Sequence, residues 1–261
     1  MPAKGSRGPC LWPLLLAVIG VVLLLNNFLL LGDFNVTALW PLLLVVLGAT
    51  ILLRGDIAPN TDGRTFGITR GSVELATLEI SSGEIDVAIR ALQQEGRLIA
   101  GQFASNSRPA LRVNETHTYL KMDRAATPWL SFADWEMGLA RDLPWQILVS
   151  TNFGQVNLDL SNLIVQDAAI GTGLGDVRLV APVEAFGRLR VRSALGNIHI
   201  ITPVGYRTQI VVQAGRLFKV HADERRYQEI EPGIFSAYDA EDKAPLVEIT
   251  VSGTFGDAYL T

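Results

Sequence analysis

The feature that most constrains this chain is a glycine-centred repeat. Thr151-Asn-Phe-Gly154-Gln-Val156-Asn-Leu158, Thr172-Gly-Leu-Gly175-Asp-Val177-Arg-Leu179 and Ser193-Ala-Leu-Gly196-Asn-Ile198-His-Ile200 place their central glycines 21 residues apart, and Pro182 and Pro203 keep the same interval. Before each glycine the apolar or small residues occupy one parity (Ile170, Thr172, Leu174), and after it they switch to the other (Val177, Leu179). A strand keeps one face inward only while parity holds, so the switch marks a corner, and glycine permits the dihedrals a corner needs. The same switch recurs around Gly83 and Gly256, and more weakly at Gly215. Gly83, Gly154, Gly175, Gly196 and Gly256 are therefore expected to be corners.

Strand-corner-strand units at a fixed interval are what a β-solenoid requires, because each coil stacks its apolar positions on the next. Ile170, Val191 and Val212 should form one interior ladder, with Ala168, Leu189 and Ile210 as a second and Val156, Val177 and Ile198 as a third. A β-sandwich would also alternate, but has no reason to hold a 21-residue interval in register. The interval is interrupted at about residues 90–145 and 221–246. Within the first interruption Trp135, Met137 and Leu139 alternate ahead of the turn Asp142-Leu-Pro144, which predicts an added β-hairpin.

Ahead of the repeat the composition changes. Hydrophobic residues make up 49% of the chain and charged residues 18%, and the apolar excess lies before Arg54. Leu11–Leu31 carries no charge, and Leu39–Leu53 repeats its Leu-Trp-Pro-Leu-Leu-Leu opening. Trp12 and Trp40 suit a headgroup boundary, and Pro13 and Pro41 suit a first helical turn. The reading is a two-helix transmembrane hairpin over 11–54 (helices 11–31 and 37–53), after a tail 1–10 and before a Gly/Asp/Pro/Asn-bearing linker 55–71 and a β domain 72–261. A cleaved signal peptide fits less well, since the first run is long, lacks a small-residue cleavage site and is followed by a second. Lys4, Arg7 and Arg54 flank the hairpin on its terminal side while the short link carries only Asp33, so the positive-inside rule puts the β domain in the cytoplasm.

The chemistry expected of this chain is recognition. A net charge of −4 without a clustered basic surface excludes nucleic acid as a partner, and the single Cys10 forms no intrachain disulfide or multi-cysteine metal site. His117, His199 and His221 lack metal-ligand spacing, so no metal and no cofactor is expected. Asp86, Asp159, Asp176 and Glu184 are weighed as acid/base residues because some solenoids act on polysaccharides, but no spacing pairs them. Stacking would align Asn157, Arg178 and His199 as an outward polar ladder. Aromatic residues cluster at Trp129, Phe132, Trp135 and Trp145, an end cap or a binding platform. Trp129, Phe132, Arg178 and His199 are the candidate partner surface.

Two stretches together resemble a bacterial envelope family. The Leu-Trp-Pro-Leu-Leu-Leu hairpin is similar to the membrane modules of LiaF-like cell-wall-stress proteins. Trp135 to Leu163, with its Asp159-Leu-Ser-Asn-Leu163 ending, followed by Gly173-Leu-Gly175-Asp-Val177, resembles their C-terminal toast-rack domain. The resemblance implies an all-β, single-sheet-stack, solenoid-like fold and a non-enzymatic role, with a membrane-anchored protein sensing or transmitting envelope stress through protein partners or self-association. It carries over no catalytic residue. The alternative from another class is an extracellular adhesin or glycan-binding module, and a polysaccharide-acting β-helix enzyme is the third reading.

Overall fold

The structure, a computed structural model, describes residues 64–103, 109–114, 116–123, 134–213, 215–238 and 244–261, all within the unit Gly55–Thr261. The hairpin assigned to 11–54 lies outside the described residues, as do Trp129 and Phe132. Among the described residues no helix is long and apolar enough to cross a membrane. They form one 19-stranded sheet that folds back on itself.

Chain order runs β1 (Arg64–Thr69), β2 (Leu75–Glu84), β3 (Asp86–Ala91), β4 (Arg97–Phe103), β5 (Ala110–Asn114), β6 (His117–Asp123), β7 (Asp134–Leu139), β8 (Pro144–Phe153) and β9 (Val156–Asp159). It continues as β10 (Ile164–Leu174), β11 (Val177–Val180), β12 (Glu184–Ala185), β13 (Leu189–Leu195), β14 (Ile198–Ile201), β15 (Arg207–Gln213), β16 (Leu217–Ala222), β17 (Tyr227–Glu231), β18 (Ile234–Ala237) and β19 (Leu246–Leu260). One parallel wall has the order β6-β2-β8-β10-β13-β19-β15. The other has the order β7-β3-β9-β11-β14-β19-β16, and β19 is long enough to serve both.

Period-2 alternation fills the space between the walls. Leu78, Ile147, Ala168, Leu189, Ile249 and Ile210 form one interior row, and Ile80, Val149, Ile170, Val191, Val251 and Val212 the next. From the second wall come Val87, Val156, Val177, Ile198 and Ala258, and beside them Ile89, Leu158, Leu179, Ile200 and Leu260. All are buried. At about 25 cal/mol per Å² of apolar surface removed from water, these rows are the principal stabilising term. Antiparallel strands pair at the two ends of the stack, β5 on β6 and β4 with β1 on β7 at one, β18 with β17 on β15 at the other.

Five expectations change. Val191 does not meet Val212, nor Leu189 Ile210, because β19 inserts between β13 and β15. β19 runs unbroken past Gly256, its first half pairing with β13 and β15 and its second with β14 and β16. Gly83 is no corner: Glu84 aligns with Phe153, so Ile85 takes the place that Gly154 holds one coil on, and Gly83 lies within β2. Nor is Gly215 a corner, since buried Phe218 stands opposite Gly256. Trp135, Met137 and Leu139 lie on β7, which pairs with β3 and β4 and makes no hairpin with β8. The stretch read as linker already folds at β1, whose Phe66 packs edge-on against Phe103 at 5.6 Å.

Candidate functional site

At the glycine corners the backbone runs on from one wall to the other without breaking the ladder. Gly154, Gly175 and Gly196 each donate their N–H to the next coil, to the carbonyls of Leu174, Leu195 and Phe255. Their φ values are 136°, 147° and 146°, and Gly256 has 119°. The Thr172 hydroxyl donates to the Gly154 carbonyl at 3.3 Å, and the Ser193 hydroxyl to that of Gly175 at 3.2 Å. Directly after the corner a polar row ties coil to coil. Asp86 Oδ1 accepts the Gln155 N–H at 2.6 Å, Asp176 Oδ1 accepts that of Asn197 at 2.7 Å, and Asn197 Oδ1 accepts that of Asp257 at 3.0 Å.

The outward row of the second wall aligns Asn157, Arg178 and His199, as the interval predicts. It continues through two residues that the interval does not reveal, Tyr259 and then His221, because β19 lies between β14 and β16. Parallel strands sit about 4.8 Å apart, so aromatic neighbours in register must stack. His199 stacks on Tyr259 at 4.8 Å and 12°, and His221 packs on its other side at 5.1 Å and 18°. Asp257 Oδ2 lies 3.4 Å from the donating Tyr259 hydroxyl and 3.7 Å from His221 Nε2. The alternation of Ala258, Tyr259 and Leu260 announces an outward Tyr259, but only the insertion of β19 puts it beside His199.

The first wall carries an open groove of about 670 Å³ on its outer face. Its floor is small at Ser150, Gly171 and Ala169, Leu148 and Glu79 line one side, and exposed Arg190 and Arg192 project on the other. Ser81, Ser150, Gly171, Arg192, Ser252 and Gln213 are one register row, a line of hydroxyls, a guanidinium and an amide.

Other sequence candidates are distributed. Trp135 and Trp145 are core, each 1% exposed, and Trp145 Nε1 donates to the Ala140 carbonyl at 2.8 Å. Asp86 follows the corner at Ile85 and Asp176 the corner at Gly175, whereas Asp159 and Glu184 sit at the opposite turn, so the four carboxylates do not share one groove. Asp159 accepts the Ser161 hydroxyl at 2.6 Å within its own turn. His117 lies 2.9 Å from the Thr77 hydroxyl, on a different wall from His199. Among the described residues no three His, Cys, Asp or Glu side chains converge as a metal site. Burial raises the Asp134 carboxyl above its ordinary range, and Asp86, opposite it in register, adds to the rise. Burial likewise raises the Tyr206 phenol, with Asp159 contributing, and its hydroxyl donates to the Ser161 carbonyl at 2.6 Å.

Against known proteins, the family described as the N-terminal domain of toast_rack, DUF2154, matches residues 58–196. No curated protein sequence matches. Among solved structures, a candidate cell adhesion protein from Clostridium sporogenes ATCC 15579 superposes with a TM-score of 0.64 at 15% identity, covering 76% of this chain and 98% of its own. A candidate adhesin from Bacteroides fragilis NCTC 9343 aligns over 78% of this chain and 99% of its own at 10% identity, with a TM-score of 0.29. The first likeness is one of fold, and the second is too distant to carry an argument.

Proposed function

Because the chain belongs to the toast-rack family, we propose that its β domain is a non-enzymatic, adhesin-like recognition module that takes an extended polar chain, a glycan, across its first wall. One observation carries this reading: the groove over Ser150, Gly171 and Ala169, flanked by Arg190 and Arg192. Rungs about 4.8 Å apart present a regular series of polar groups to an extended chain laid across the strands. Small side chains leave room for rings, while guanidinium, hydroxyl and amide groups supply directed hydrogen bonds. The adhesive role named for the Clostridium sporogenes protein fits such a surface.

A second reading rests on the uncharged, duplicated runs Leu11–Leu31 and Leu39–Leu53: a membrane-tethered sensor or scaffold that works through protein partners in envelope stress. Sidedness separates the two. A reporter fused after Thr261 that is active only outside the cytoplasm supports adhesion, and one active only inside supports signalling. For the groove itself, Gly171→Gln together with Arg192→Gln should lower retention on a panel of acidic and neutral glycans at least tenfold. Retention unchanged by both substitutions would overturn the glycan reading.

A further inference from the structure

The residue before each corner glycine follows inward parity but emerges at the edge of the stack. Phe153, Leu174, Leu195 and Phe255 are 45–47% exposed and Leu217 is 60% exposed. Each lies in register with the next, so they form one unbroken apolar ridge. At the strand spacing it runs about 19 Å, and it exposes on the order of 400 Å² of apolar surface. Patches of that size on soluble domains are commonly functional. Nothing in folding requires large apolar side chains here, since the interior rows are complete without them.

Beside the ridge runs the row after the corner, in which Asp86 and Asp176 are exposed and Asp257 half-buried. Glu84 stands in register with Phe153 at one end. Lys219 stands in register with Asp257 at the other end of that row, and Arg216 adjoins the last rung, Leu217. The surface is thus an apolar line whose border is acidic at Asp86 and Asp176, while Asp257 has Lys219 beside it.

We propose that this ridge docks a partner's amphipathic helix, whose apolar stripe lies along Phe153, Leu174, Leu195, Phe255 and Leu217 and whose basic flank faces Asp86 and Asp176. Three features choose this occupant. The length corresponds to about 13 helical residues, between three and four turns. The area is about half of the roughly 800 Å² per partner that a stable pairing of two copies needs, which suits one helix better than a second domain. The acidic border repels an anionic lipid surface and attracts Lys and Arg. The proposal rests on the recognition-module reading but uses a different face from the glycan groove.

The test uses the full chain in zwitterionic nanodiscs and a fluorescent peptide of about 18 residues with a leucine stripe at helical spacing, flanked by lysines. A peptide with the same stripe and glutamate flanks is the comparison. The lysine peptide should bind at least tenfold more tightly than the glutamate one, and Leu174→Gln with Leu195→Gln should weaken it at least tenfold. Asp86→Asn with Asp176→Asn should remove most of the preference without unfolding the corner, because Asn197 already makes the same backbone bond in the next coil. If the leucine pair melts out, the asparagine pair decides alone. Equal binding of the two peptides would overturn the proposal. So would a sedimenting dimer that the leucine pair dissolves, which would make a second copy the occupant. Glycan retention measured on the same variants should stay unchanged, so failure here is distinguishable from failure of the glycan reading.

Discussion

Gly175 and Gly83 look alike in the sequence, and the structure separates them. A Cβ on Gly175 would lie 2.1 Å from the Gly154 carbonyl oxygen, at a φ of 147° that side chains rarely adopt. On Gly83 it would meet nothing within 4 Å. Gly175→Ala should therefore cost about 2 to 4 kcal/mol, because neither the backbone carbonyl nor the dihedral can yield cheaply. Gly83→Ala should fall within about 0.5 kcal/mol of wild type, since losing unfolded-state freedom offsets little else. Denaturant melts of the two variants check both figures, and equal losses would mean that the corner is not a tight stack. Asp134 supports a pH prediction. Its folded pKa lies above the unfolded one, so between the two values the native state binds more protons and stability falls as pH rises. Asp134→Asn removes the proton equilibrium. Its melting temperature should match wild type below the carboxylate range and exceed it increasingly as pH rises through that range, and a constant offset would contradict the burial argument.

At the scale of elements, β19 supplies what the repeat alone does not. Its Ile249 is fully buried and lies between Leu189 and Ile210, and its far half pairs with both β14 and β16. Ile249→Ala should cost about 2 to 5 kcal/mol through the transfer and cavity terms. It should also raise amide exchange in both β13 and β15, the two strands that β19 separates; an effect confined to one of them would contradict the insertion of β19. Much of the element pattern was legible. The ladder Val156, Val177 and Ile198 stands as the 21-residue interval requires, since identical intervals put identical parity on adjacent coils. The continuation of the Arg178 and His199 row into Tyr259 and His221 was not legible, because strand alternation states which face a residue takes and not which strand lies beside it.

For the whole β domain, the parallel stack makes stability a nearest-neighbour property. Central coils, β10 with β11 and β13 with β14, have partners on both sides, while among the described residues β17, β5 and β1 are paired on one side only. Amide protection should therefore peak in β10 and β13 and fall toward both ends, with the outermost strands exchanging through local opening. Uniform protection from end to end would indicate a single cooperative core instead. The sequence by itself determined the coil: parity, the glycine at the switch of parity and the 21-residue interval are local properties, and each expresses the geometry of one strand-corner-strand unit. Tertiary structure decided the order of coils, the capping strands and the surfaces that result. Those depend on which edge of the growing sheet each strand finds, a choice made by hydrogen bonding and burial between segments distant in the chain. That choice put Tyr259 between His199 and His221, lined up Phe153, Leu174, Leu195, Phe255 and Leu217 into one ridge, and left Gly83 an ordinary strand residue where Ile85 makes the first corner.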